Sequence, residues 1–244
     1  MHMIPKITAN LCALREQMAA AALQAGRDPA DVTLVAVTKT HPPEVVAAAV
    51  AAGMRDLGEN RVQEALGKIA ALAHLAPPPA WHLIGHLQRN KAKLAAEHFA
   101  LVHSIDSLRL AAALARYVPS GRRLPILLQC NVSGETSKEG FTLAGGARNQ
   151  AALDALLPQL EAILALPSLE VRGLMTIAPF TDDPEAARPH FRALRELRDT
   201  LAQRFPQATW RELSMGMSDD FAVAIAEGAT IVRVGRAIFG SRGE

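Results

Sequence analysis

Two hydrophobic periods take turns along this chain. Ile4, Ile7, Leu11, Leu14 and Met18 recur every three or four residues, the stripe of an amphipathic helix. Pro5 suits its first turn and Gly26 its exit. The pattern then changes to a nearly continuous β-branched and apolar run, Val32 to Val37, the signature of a strand covered on both faces. Lys39 follows, and Pro42-Pro43 stop the strand. The same switch repeats to the end. Strands are predicted at 55–58, 81–84, 101–105, 125–132, 169–177, 210–214 and 230–234. Helices are predicted from Pro43 to Ala52, from Asn60 to Leu72, from Lys91 to Phe99, and through Tyr117 after a cap at Asp106 or Ser107. Others run from Gln150 to Leu166, behind the Asp183 cap with Phe191, Leu194, Leu197 and Leu201 inward, and from Ser218 to a stop at Gly228.

Eight strands alternating with helices mean a parallel sheet with crossover connections. In 244 residues they predict a single (β/α)8 TIM barrel, α/β in class, as one domain over 1–244 with an extra N-terminal helix. An open doubly wound sheet is the weaker alternative, because no Gly-x-Gly-x-x-Gly follows the first strand. Only residues 235–244 follow strand eight, too few for a full last helix, and the N-terminal helix is expected to cover that gap.

Composition narrows the function classes. Half the residues are hydrophobic, enough for one sizeable core, and the net charge is +2. The basic residues are scattered, so nothing argues for nucleic acid or a membrane surface. Cys12 and Cys130 are far apart and form neither a disulfide framework nor a metal site. The first residues lack a secretory pattern, and no apolar run approaches the ~18 residues of a spanning helix. The expectation is a cytoplasmic protein.

Barrel active sites gather at the carboxyl ends of the strands. Those ends carry Lys39, Asn60, His82 with His86, Met175, Ser214 to Ser218, and Arg233 with Gly235. They show no His, Asp or Glu group at metal-ligand spacing. An amine rooted in rigid backbone and partly desolvated is a nucleophile able to form a Schiff base with an aldehyde; the plainer reading of Lys39 is a strand-end lysine reaching water. Gly216 would let backbone approach a ligand closely, and Ser218 and the following helix could hold a phosphate. The plainer reading of Ser218 is a helix cap, with Asp219 and Asp220 complementing the dipole. Arg233 stands inside an apolar strand and needs a partner, either a neighbouring carboxylate or a cofactor ring nitrogen. His82 and His86 are more ordinarily core or loop residues, Asn60 a turn residue, Cys130 a buried small hydrophobe, and Lys138 and Glu139 solvent charges.

Taken in order, Val37-Thr38-Lys39, Gly58-Glu59-Asn60, Trp81 to Gln88 with Asn90-Lys91, Gly173-Leu174-Met175, Ser214 to Asp219, and Arg233-Val234-Gly235 with Ile238-Phe239-Gly240 resemble the YggS/PROSC pyridoxal phosphate homeostasis family. The likeness covers about residues 5–240. It implies a barrel related to the N-terminal domain of alanine racemase, with pyridoxal 5′-phosphate (PLP) held as a Schiff base on Lys39. It maps Ser214, Gly216, Ser218 and the Gly235 turn onto the phosphate site, Arg233 onto the pyridine nitrogen and Asn60 onto the ring. His82, Met175 and Met217 complete the expected contacts. Arg236 departs from the small hydroxyl residue expected there.

The resemblance implies a carrier or regulator of PLP without established catalysis, with PLP-requiring apoenzymes as possible partners and a monomeric state. The alternative is a PLP-dependent amino-acid racemase, which needs bases on both faces of the substrate α-carbon. The racemases this chain resembles take the second base from a tyrosine of another domain, whereas the only tyrosine here is Tyr117. A cofactor-free Schiff-base aldolase is a third possibility.

Overall fold

Alternation along the strands sorts side chains between two cores. In β1 (Thr33–Val37), Leu34 and Ala36 face the helices, while Val35 joins Leu101, Leu127, Met175 and Ile231 in a separate apolar cluster inside the sheet. The computed structural model describes residues 3–240. In chain order these give α1 (Met3–Gln24), β1, α2 (Pro43–Ala51), β2 (Asp56–Glu59), α3 (Val62–Ala71), β3 (Ala80–Leu83), α4 (Ala92–His98), β4 (Leu101–Ile105) and α5 (Leu108–Ala115). Then follow β5 (Leu124–Asn131), the two-residue β6 (Phe141–Thr142), α6 (Gln150–Leu164), β7 (Leu169–Met175), α7 (Arg188–Arg204), β8 (Glu212–Ser214), α8 (Phe221–Ala226), β9 (Ile231–Val234) and α9 (Arg236–Phe239).

All pairings are parallel, in the order β4-β3-β2-β1-β9-β8-β7-β5, and β4 pairs β5 to close the ring. That closure excludes the open sheet and makes the predicted eight-stranded TIM barrel. The small β6 pairs only β5, beyond the polar loop, and adds no stave. β1 and β9 lie side by side, with Val35 opposite Arg233 and Ala36 opposite Val234.

The last helix among the described residues, α9, has four residues, and 241–244 lie outside the described residues. α1 packs against α2, α8 and α9 and covers the gap. Asn10 Nδ2 donates to Ile238 O (2.9 Å), and Arg27 donates to the carbonyls of Ile225 and Ala229. α7 turns Phe191, Leu194, Leu197 and Leu201 wholly inward, each burial contributing about 1.5–3 kcal/mol. Among the boundaries that differ from expectation, two have a visible cause. β8 starts at Glu212, because Trp210 is left-handed (φ 47°) with its indole N–H donated to Phe205 O. α8 starts at Phe221, because Met217 N–H bonds Asp220 Oδ1 and makes 217–220 a turn. Among the described residues no helix is long and apolar enough to cross a membrane.

Candidate functional site

The inward face of β1 continues from Val35 and Val37 to Lys39, so period-two geometry carries this side chain to the carboxyl mouth of the barrel. Its neighbours face outward and are gripped by α3. Thr38 Oγ1 donates to Glu59 Oε1 (2.5 Å). Lys68 Nζ donates to Thr38 O, Glu59 Oε1 and Glu64 Oε1, each at 2.7 Å. On the far side, Thr40 N–H donates to Glu64 Oε1 and the residue sits at φ 68°. The backbone either side of Lys39 is thereby pinned. Burial raises the Glu59 pKa, although Lys68 and Thr38 pull it down. Burial also pushes Glu64 upward, but there the bonds from Lys68 and the Thr40 N–H prevail and hold its carboxyl below the ordinary range. Glu59 Oε2 is buried without a hydrogen-bond partner among the described residues.

A cavity of about 560 Å³ opens at this mouth, within the range usual for small-molecule sites. Lys39 and Asn60 line one wall, Arg233 and Gly235 another, and the turn Met217-Ser218-Asp219 a third. Asn60 is held by close packing, because Gly85 lies so near its backbone that a Cβ there would collide. Arg233 is buried at the base of the wall. Its Nη1 donates to Ser214 Oγ (2.6 Å) and its Nη2 to Thr176 O (2.9 Å), both neutral oxygens rather than the carboxylate weighed from the sequence. Burial lowers its pKa to about 10, partly offset by Asp220, so it stays charged at neutral pH. Arg236 also lines the cavity and ion-pairs with Asp219. Ser218 is not the cap of α8; Asp220 occupies that position, and Ser218 lines the cavity. At the edge, the rings of His41 and Phe239 lie 4.5 Å apart.

Lys39, Asn60, Met217, Ser218, Arg233 and Gly235 are therefore brought together, and four other expected contacts are placed off the cavity wall. Ser214 is wholly buried beneath it, its hydroxyl engaged by Arg233 and by His103 Nδ1 (2.8 Å). His82 is deeper still, between His103 and Asp56. Met175 belongs to the apolar cluster inside the barrel. Gly216 takes φ 93°, and the side a Cβ would occupy is filled by Ala224 (2.6 Å), so the glycine seats its turn on α8. His86 lies outside the cavity and ion-pairs with Glu139 (2.7 Å) and Asp106 (3.4 Å), a rim group that sequence spacing does not reveal. Cys130 is buried as expected, its thiol pushed up to about 12 by burial. Sequence reasoning missed His103, Thr176, Glu59, Glu64 and Lys68. Only His103 left a signal, as a polar residue at an inward position of an apolar strand.

A strand-end lysine beside a buried arginine of the adjoining strand in a parallel barrel defines a class, and a family model described as the alanine racemase N-terminal domain matches residues 9–243. A pyridoxal phosphate homeostasis protein of Pseudomonas aeruginosa is 46% identical over 237 residues, covering 97% of this chain and 96% of that protein. PipY of Synechococcus elongatus, whose structure is known with PLP bound, is 41% identical with a TM-score of 0.80, covering 96% of this chain and 100% of that one. The chain belongs to the alanine racemase N-terminal domain family and, within it, to the pyridoxal phosphate homeostasis proteins. An alanine racemase of Clostridium difficile shares the fold alone, at 13% identity and TM-score 0.70, and this chain spans 58% of its length. The donor set fits PLP: an amine for an aldehyde, a fixed cation for a ring nitrogen, and hydroxyl and backbone groups for a phosphate.

Proposed function

We propose that this barrel, as a single domain, binds PLP covalently through Lys39 and serves as a carrier or regulator that yields it to apoenzymes, without catalysis of its own. One observation supports the reading above the others: the amine after β1, the buried cation of β9 and the turns after β8 and β9 converge on one cavity. When bound, PLP supplies an aldehyde that condenses with a lysine amine. The chain's own residues do the rest. Lys39 would present its amine from a backbone pinned on both sides by α3. Asn60 would lie beside the ring. Ser218 and the backbone of the 217–219 and 235–236 turns would hold the phosphate, with Arg236 at their edge. Arg233 would donate to the ring nitrogen and, being unable to give up its proton, would keep that nitrogen unprotonated. An unprotonated ring is a poor electron sink, which disfavours carbanion chemistry.

Racemisation is the competing reading. Tyr117 follows α5, whose carboxyl end leads into the start of β5 and thus lies at the opposite mouth. It is half exposed and does not line the cavity. The protein, loaded with PLP, is incubated with L-alanine in deuterated water. The carrier reading expects no more α-proton exchange than PLP on an unrelated lysine gives; rapid exchange with inversion contradicts it. Pyridoxal lacking the phosphate should bind at least about tenfold more weakly, the loss of charge-assisted hydrogen bonds.

A further inference from the structure

A file of polar side chains crosses the barrel interior from the amino-terminal mouth to the base of the cavity. Asp56 Oδ1, at the start of β2, lies 3.1 Å from His82 Nε2 on β3. His82 Nδ1 lies 3.0 Å from His103 Nε2 on β4. His103 Nδ1 lies 2.8 Å from Ser214 Oγ on β8, which accepts from Arg233 Nη1 on β9 at 2.6 Å. Every member but Asp56 is buried. An apolar core would have filled this space at no cost in desolvation; a buried polar file persists only if each member is satisfied.

Its proton order follows from one end. The guanidinium can only donate, so Ser214 Oγ accepts that bond and turns its own hydrogen to His103 Nδ1. His103 then carries its proton on Nε2 and gives it to His82 Nδ1. His82 in turn carries its proton on Nε2 and donates to Asp56. Each donor meets an acceptor, and both imidazoles are neutral. If His82 were doubly protonated, His103 would have to reverse. Ser214 would then receive two donors, its own hydrogen would lose the acceptor the file provides, and a second cation would stand in line with Arg233. The charged groups facing the file are Asp56 at one end, Arg233 at the other and Asp220 beside Arg233. Burial first, then repulsion from Arg233 and from any proton added to His82, holds the His103 pKa well below its ordinary value.

The geometry points to His103, backed by His82 and Asp56, as a positioning residue for Arg233: the file makes Ser214 a fixed acceptor and sets the edge that the guanidinium presents to the cavity. The second half of this inference rests on the PLP reading; the proton order does not. The experiment has one arm for each. In the protein without cofactor, long-range proton–nitrogen NMR at neutral pH should show His82 and His103 each protonated on Nε2 alone. Either ring protonated on Nδ1, or doubly, overturns the file. In the second arm, PLP labelled with ¹⁵N in its ring is bound to the parent protein, to His103→Phe and to His103→Gln. The parent nitrogen should stay unprotonated across the neutral range. His103→Phe should let it titrate there and release PLP about tenfold faster, the size expected for a lost hydrogen bond to a charged group. His103→Gln, whose carbonyl can accept from Ser214 and whose amide can donate to His82, should restore the parent behaviour. If Phe and Gln behave alike, or neither moves the nitrogen, His103 does not position Arg233. Should His103→Phe fail to fold, the Gln variant and the NMR arm still decide. Failure of the parent to bind PLP would sink the proposed function and leave the first arm standing.

Discussion

Two buried cations stand on either side of the first strand, and they are held in opposite ways. Lys68, between β2 and α3, is surrounded by Glu59 and Glu64 and a carbonyl, so its charge is matched within the protein. Arg233, inside the barrel, bonds only neutral oxygens among the described residues, through Ser214 and Thr176. The first arrangement spends its charge on fixing backbone. The second leaves positive potential directed at a cavity, which is where an acceptor ring or an anion is wanted. A buried charge with carboxylate partners reads as architecture, and one held by hydroxyl and carbonyl reads as a site.

The contrast is broken most severely by Lys68→Met. Glu59 would remain buried and unpaired, a loss of about 3–5 kcal/mol, measurable by urea unfolding. Because the folded Glu59 pKa is raised, its contribution to stability is fully present below the ordinary carboxylate range and is lost as pH rises through the folded value. The variant's deficit should therefore be largest at neutral pH and shrink in acid. Arg233→Gln comes next. It leaves no carboxylate stranded, so the loss should be about 1–2 kcal/mol, the cost of unsatisfied Ser214 and Thr176 oxygens. The bound ring should become protonatable, visible in the pH dependence of its absorption. Glu59→Gln sharpens the comparison: an isosteric acceptor for Lys68 and Thr38 should cost about 1 kcal/mol and abolish the gain in stability on acidification that the raised Glu59 pKa supplies. Arg236→Thr, which breaks only an exposed pair with Asp219, should change stability by less than about 1 kcal/mol. Its effect belongs on PLP release, by a few-fold.

Most of the barrel was legible because parallel strands buried on both faces write themselves as apolar runs, and because Lys39 and Arg233 are cations set in such runs. The file beneath Arg233 was not legible. His82, His103 and Ser214 sit on β3, β4 and β8, and only closure of the ring puts their inward faces against one another. Ser214 was expected at the phosphate, but the alternation that turns Leu213 toward the helices turns Ser214 into the barrel, one layer below the cavity. Gly216 reads in the sequence as room for a ligand; in the structure the side a Cβ would occupy is filled by Ala224 of α8. The Lys68 clamp is a contact between a strand end and the next helix, with no periodic trace. Arg236 was visible as a departure from the expected hydroxyl residue, and its Asp219 partner lies on the neighbouring turn.

The central claim is that Lys39 is the amine that takes the cofactor. The purified protein is mixed with PLP, its absorption recorded before and after borohydride, and the reduced adduct located by peptide mass mapping. The account predicts a yellow protein that borohydride bleaches, a pyridoxyl group on Lys39, and no fixed cofactor in Lys39→Ala. A protein that stays colourless, or an adduct that persists on another lysine when Lys39 is removed, would contradict it.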